Sequence, residues 1–433
     1  MSTAKLEYTA KKAYMQITNS IAFYPVMITV GLFLLSLGVG HLDKISVGTS
    51  IINHVIFLKI DDANTARSLL SALLTGLISL VTFTFSMVMI VLSQVTSTFS
   101  PRLLPDLVSK KGNQLVLGII LGSICFITIA LSNIKTMTAG PHVPVLSVAL
   151  SMLLGLASLL SFMYFIHKIS NEIQIGNIIN SIYRTTRNVL DRELNSGSYH
   201  ENWEENESFI LVKAWDSGYF DSITQPQFRK KSRKLGLTAR ILKHQGMYLL
   251  KGDPFLEINQ PMNDAIRTLL EENILLRHQE EVKENFFYGF KHITEIAVKA
   301  LSPAVNDPGT AITAIDYLTD LLCRFQDLRG RKVLEHKDGT ACIIYAPVPF
   351  ESTFYLCLAS IRAYSAKDVT VQARLINLIS KLSERDERGE HQALYKRELA
   401  SLEEASSKEM ESKEDIAFIR SLIDDVKRNN GWD

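Results

Sequence analysis

Four apolar stretches set what this chain can fold into. They cover residues 21–39, 69–95, 115–134 and 145–166. Each approaches or exceeds the roughly 20 helical residues needed to cross a bilayer core. Inside hydrocarbon, backbone donors and acceptors must be satisfied within the segment, so such stretches are read as helices. Lys5, Lys11 and Lys12 precede the first stretch as they would a signal peptide. Its apolar run is long for that role, however, and no small-x-small cleavage site follows Gly40, so it is expected to stay as a span. Residues 1–166 therefore read as a four-span membrane domain, and the sequence beyond them resembles an ordinary water-soluble protein.

Basic residues in the short loops suggest an orientation. Lys5, Lys11 and Lys12, then Arg102, Lys110 and Lys111, then Lys168, Arg184 and Arg187 fall on one side. Lys44, Lys59 and Arg67 fall on the other, offset by Asp43, Asp61 and Asp62. The bias places both termini, and the whole soluble half, in the cytoplasm. The four cysteines (Cys125, Cys323, Cys342 and Cys357) form no CxxC pair and read as free thiols in a reducing compartment. No HExxH or close histidine cluster suggests a metal, and no cofactor motif is visible. With 46 Lys+Arg against 45 Asp+Glu, the chain lacks the excess positive charge of a nucleic-acid binder.

The second stretch has a pattern of its own. Ser68, Ser71, Thr75, Ser79, Thr82, Ser86, Ser93, Ser97 and Ser100 recur at steps of three or four, with one step of seven. At 100° per residue they occupy an arc of roughly 80°. The face either packs against small residues of neighbouring helices or lines water. A single stripe cannot enclose a passage, but several copies about a symmetry axis could, so a pore requires a homo-oligomer. Ser71, Thr75, Ser79, Thr82, Ser86, Ser93 and Ser97 are the pore-lining candidates. No charged residue lies between Arg67 and Arg102. These two arginines are the mouth candidates, and basic rings there imply a weak anion preference. The third and fourth stretches carry Gly118 with Gly122, and Ser147, Ser151, Gly155 and Ser158. Small residues at these spacings suit close packing between helices.

The strings TFSMVMIVLSQVTSTFSPRLL (residues 84–104), ANTARSLLSAL (63–73) and IAVKALSPAVNDPGTA (296–311) resemble the domain-of-unknown-function 2254 family of predicted bacterial integral membrane proteins. The resemblance implies a multi-span N-terminal half, a soluble C-terminal half and residence in the bacterial plasma (inner) membrane. It carries no activity. It draws attention to Arg67, Ser100, Pro101 and Arg102, and to Ser302, Pro303, Asn306, Asp307, Pro308 and Thr310. Family members often have Arg-Thr followed by Asp-Pro just upstream, where this chain has Arg277-His278 and Glu284-Asn285.

The soluble half is expected to be α+β. Residues 167–205 read as a helical stalk continuing the fourth span, ended by Asn195-Ser196-Gly197. Residues 206–260 read as a small β module. Their order of strand, Gly-Tyr, short helix and hairpin is similar to barrel-sandwich domains of the biotinyl/lipoyl type, but without an attachment lysine tripeptide. Residues 261–433 read as mainly helical. Asp307 suits an N-cap and Pro308 a first helical turn, so Ser302, Asn306, Asp307 and Thr310 mark either a structural corner or a cytoplasmic anion site. Arg229, Lys230, Lys231, Arg233 and Lys234 are five basic residues out of six. They form either a solvated helix face or a contact for anionic lipid headgroups or a free anion. The terminal apolar positions, from Leu394 to Val426, suggest amphipathic helices, with disorder of 401–414 as the alternative.

Two functions follow. The first is an oligomeric channel-like membrane protein with a cytoplasmic regulatory domain. The second is a membrane-anchored, non-conducting sensor or scaffold that binds a ligand or partner. No catalytic set is apparent, so the chain is expected not to be an enzyme.

Overall fold

The structure is a computed structural model that describes residues 22–45, 60, 62–98, 111–137, 140–172, 174–201, 208–277, 285–346 and 349–432. The chain divides into two compact units, parted after residue 174.

Among the described residues, the first unit holds four helices long and apolar enough to cross a membrane. They are α1 (Phe23–Lys44), α2 (Ala63–Thr98), α3 (Lys111–Ser132) and α4 (Val145–Glu172). A short hairpin, β1 (Lys135–Met137) and β2 (Gly140–His142), joins the last two. All four fall where hydropathy put them. Outward-facing side chains such as Met27, Leu34, Ile90, Leu160 and Met163 stay more than half exposed, as a lipid solvent would allow. The core between helices is built from Ala66, Leu70 and Leu77 of α2, Ile120 and Ile127 of α3, and Val148 and Phe165 of α4.

Three contacts hold the helices of this unit together. A Cβ at Gly118 would lie 2.7 Å from Ile28, and one at Gly122 2.5 Å from Leu32. The GxxxG pair thus lets α1 lie directly on the α3 backbone, as the spacing suggested. Across α3 and α4, Ser158 donates to the Ser123 hydroxyl at 3.0 Å. The third contact was not foreseen. Asp43, at the end of α1, is only 5% exposed. Its carboxylate accepts from the backbone N–H of Leu146 and Ser147, each at 3.0 Å, and from the Ser147 hydroxyl at 2.6 Å. It therefore caps α4 from a different helix, supplying negative charge where the orphan amides and helix dipole favour it.

The second unit is α+β. Helix α5 (Ile175–Leu194) opens it. The expected stalk is instead a separate helix whose apolar face, Ile178, Ile179, Ile182, Val189 and Leu190, is buried. Tyr183 of α5 stacks on Tyr317 with ring centroids 4.3 Å apart and donates to Asp320 at 2.9 Å. Arg324 bridges Asp191 and Asp320 at 2.8 and 3.0 Å. Amphipathic periodicity is the same for a free stalk and a core helix, so sequence alone did not separate them.

The β region comprises β3 (Tyr199–His200), β4 (Ile210–Lys213), β5 (Gly218–Ile223), β6 (Ala239–Ile241), β7 (Tyr248–Leu249) and β8 (Pro254–Ile258), with α6 (Gln225–Leu235) between β5 and β6. The expected hairpin-like pair is present: β6 runs antiparallel to β8. The module does not close at residue 260, however. It takes in α7 (Asp264–Asn273), β9 (Ile274–Arg277), β10 (Arg331–Glu335) and β11 (Ala341–Ile344). One sheet has the order β3-β10-β11-β6-β8-β4, and a second has β7-β5-β9. All neighbours are antiparallel except β6 and β11. Cys342 and Ile343 of β11 share a core with Phe220, Phe228 and Phe255, so the strands expected within 206–260 need the later hairpin to bury their inner face.

The remaining helices are α8 (Phe286–Ala300), α9 (Pro308–Phe325), α10 (Phe350–Tyr364), α11 (Val369–Arg385), α12 (Gln392–Glu409) and α13 (Lys413–Asn429). Phe286, Phe290, Phe325 and Phe350 form an aromatic centre with ring centroids 5.3 to 6.4 Å apart. Residues 401–409 are helical, against the disordered alternative, because Leu399 and Leu402 are buried on that turn.

Candidate functional site

Thr75, Ser79, Thr82 and Ser86 each donate to the carbonyl four residues earlier at 2.9–3.0 Å. The hydroxyl protons are therefore satisfied within α2, while the oxygens still face outward. Ser71, Thr75, Ser79, Thr82, Ser86 and Ser93 are all exposed. The opposite side of the helix carries Ala66, Leu70, Leu77 and Thr84, each no more than 3% exposed. At 100° per residue the centres of the two faces are about 160° apart. The stripe is thus turned away from its own bundle, and among the described residues no helix of the same chain packs over it. The side chain of Ser97, and Ser100 and Arg102 entirely, lie outside the described residues, as do Lys5, Lys11 and Lys12.

Arg67 stands at the start of α2, next to a cap formed by Asp62, which accepts from the Thr65 amide at 2.7 Å and hydroxyl at 2.6 Å. The Arg67 guanidinium reaches the Ile134 carbonyl at 3.5 Å, just past the end of α3. A cation there complements the partial negative charge of a helix C-terminus. It remains half-buried, at the same end of the unit as Asp43.

In the second unit, the 302–310 string forms a self-contained corner. Asp307 caps α9, accepting from the Thr310 amide at 3.1 Å and the Thr310 hydroxyl at 2.6 Å. These bonds hold its carboxyl below the usual carboxylate range. The Ser302 hydroxyl donates to the Lys299 carbonyl at 2.7 Å, and the Ser302 carbonyl accepts from Asn306 at 2.9 Å. Asn306 has φ +49°, a left-handed conformation that asparagine tolerates better than most residues. The polar groups of the motif are largely occupied by one another, which favours the structural corner over an anion site.

Helix α6 presents the basic cluster. Lys231 pairs with Glu272 at 2.8 Å and Arg233 with Asp338 at 3.1 Å. Arg229 donates to the Glu335 carbonyl. Lys230 and Lys234 have no ion-pair partner among the described residues. Sequence spacing could not show that His336 and Lys337, in the β10–β11 turn, join Arg229, Lys230, Arg233 and Lys234 around one groove. The His336 imidazole is held below its usual range by burial, opposed by Asp338 and reinforced by Arg229 and Arg233. Among the described residues no cluster of three or more His, Cys, Asp or Glu is arranged to hold a metal.

Comparison with known proteins places this architecture. The family described as predicted membrane protein, domain of unknown function 2254, matches residues 18–381. The chain belongs to this family. It is also 22% identical over 368 residues to uncharacterized proteins of Mycobacterium bovis (strain ATCC BAA-935 / AF2122/97) and Mycobacterium tuberculosis (strain ATCC 25618 / H37Rv). In each case the match covers 82% of this chain and 70% of the relative. No solved structure matches. The match runs from just before α1 into α11, so it spans both units.

Proposed function

We propose that the chain is one subunit of an oligomeric, channel-like protein of the bacterial plasma membrane. Copies of α2 surround a hydrated path, and the second unit serves as a cytoplasmic regulatory domain. The observation that carries this reading is the direction of the hydroxyl stripe. Seven described hydroxyl side chains, from Ser68 to Ser93, share one helix face, and that face points away from the helix's own bundle. Lipid gives such a face no advantage over Leu or Val, and back-bonding removes only the cost of the donors. Water, or the same face of another copy, uses the outward oxygens as acceptors. The reading assigns the chain no catalytic step. Arg67, repeated around a ring, would give the mouth positive charge and a weak preference for anions.

A triple substitution tests the reading. Ser79→Leu, Thr82→Leu and Ser86→Leu together line a path with apolar side chains without touching the buried face of α2. Reconstituted protein is expected to conduct, and the triple variant to assemble normally yet lose flux, with the wild-type reversal potential in a salt gradient leaning toward the anion. Wild-type protein that stays monomeric in lipid nanodiscs would count decisively against conduction. The second reading, a non-conducting membrane anchor with a ligand- or partner-binding soluble unit, is favoured by the back-bonding itself, which makes the stripe tolerable in lipid. It predicts full assembly and no flux in either protein.

A further inference from the structure

The groove beside α6 collects positive charge beyond what the fold requires. It has a volume of about 580 Å³ and is lined by Arg229, Lys230, Arg233, Lys234, His336 and Lys337. Four of these come from one helix and two from a turn more than a hundred residues later. Along α6, Arg229 with Arg233 and Lys230 with Lys234 are i,i+4 pairs of like charge, a spacing at which they repel. A helix C-terminus favours cations, which accounts for Arg233 and Lys234 in the last turn. It does not account for Arg229 and Lys230 earlier on the helix, or for Lys337 on a different element.

The neutralising partners fall short of this charge. Asp338 meets Arg233 at 3.1 Å. The Glu335 carbonyl that receives Arg229 is neutral, so it orients the guanidinium without cancelling its charge. Lys230, Lys234 and Lys337 have no ion-pair partner among the described residues. Lys231, which does have one in Glu272, is absent from the lining. The uncancelled charges therefore gather on the groove, while a neighbouring lysine outside it is neutralised. A groove of this size suits a small-molecule group, and a guanidinium fixed beside ammonium point charges is the donor set that phosphate oxygens accept.

We infer that this groove binds a phosphate-bearing anion of at least two negative charges, held by Arg229, Lys230, Lys234 and Lys337. The ligand is either a soluble multivalent phosphate or an anionic lipid headgroup, which share this chemistry. The inference is independent of conduction and holds for either reading above.

The test uses the full-length protein. Titration calorimetry in neutral detergent measures inorganic tripolyphosphate binding to wild type and to a variant carrying Lys230→Gln, Lys234→Gln and Lys337→Gln. These side chains have no ion-pair partner to lose, so the fold should persist. A charge-matched control carries Lys367→Gln, Lys408→Gln and Lys413→Gln, all exposed and none of them lining the groove. A second arm measures hydrogen exchange over residues 225–235 in nanodiscs of phosphatidylcholine, with and without phosphatidylglycerol. Tripolyphosphate binding that weakens at least tenfold in the groove variant and stays unchanged in the control supports the soluble source. Protection of α6 by phosphatidylglycerol, lost in the groove variant alone, supports the lipid source. The inference is overturned if neither probe engages wild type, or if the control loses as much as the groove variant.

Discussion

Removing the Asp43 carboxylate should unlatch the membrane unit. In Asp43→Ala, the amides of Leu146 and Ser147 and the Ser147 hydroxyl lose their shared acceptor at a site only 5% exposed. A hydrogen bond to a charged group contributes about 1.5–3 kcal/mol, and an N-cap alone about 1. The Ser147 hydroxyl can turn to another acceptor, and water can reach part of a helix end, so the expected net loss is about 3 kcal/mol. At 1.4 kcal/mol per decade this is roughly a hundredfold in the opening equilibrium. The Leu146 and Ser147 amides report it, because their exchange with solvent requires the cap to open. A pulse of hydrogen exchange at fixed mild detergent stress, followed by peptide mass spectrometry, gives the protection of the first turn of α4. Asp43→Ala should exchange there about a hundred times faster than wild type, and Asp43→Asn, which keeps one acceptor oxygen, should fall between. Alanine within threefold of wild type, or asparagine no better than alanine, would refute the cross-helix cap.

Three further outcomes are expected. Gly289→Ala in α8 would put a Cβ 1.8 Å from the Thr186 hydroxyl and 2.7 Å from its Cβ. It should destabilise the seat of α5 by about 1–3 kcal/mol in chemical denaturation, with Thr186→Gly in the same chain recovering part of the loss. Asp307→Ala should cost about 0.5–2 kcal/mol through the lost α9 cap. Because the folded carboxyl sits below its ordinary value of 3.8, the wild-type advantage should be full above that pH and vanish as pH falls through the lower folded value. Denaturation midpoints from pH 7 to pH 2.5 check both size and sign. Burial pushes the thiols of Cys323, Cys342 and Cys357 up to about 11, so they should resist alkylation at pH 8 until the second unit unfolds, as thiol titration with and without denaturant would show.

The parts of the fold that were legible depend on local patterns. Hydropathy over about twenty residues located all four spans, and a three-to-four-residue rhythm isolated the hydroxyl stripe. The same rhythm says nothing about direction. That the stripe faces away from the bundle depends on Leu70 and Leu77 meeting Ile120 and Val148 on other helices. Asp43 looked like a loop charge because the amides it caps are 103 and 104 residues away. Likewise, the basic run on α6 was plain, but His336 and Lys337 join it only because β10 and β11 enter the sheet beside β6. The 206–260 module was cut short for the same reason, since no pattern within those residues announces a strand arriving from 341–344. At the 302–310 corner, by contrast, cap and proline lie within four residues of each other, and the local reading of the helix start matched.

The most direct probe of the central claim is water access to α2 in an intact membrane. Ser79→Cys, Thr82→Cys and Ser86→Cys, made one at a time, would be exposed to a charged, membrane-impermeant methanethiosulfonate, with Leu77→Cys on the packed face for comparison. Modification at all three stripe positions and none at 77 is the predicted result. If the stripe positions react no faster than 77, the face meets lipid or dry protein and the hydrated path does not exist.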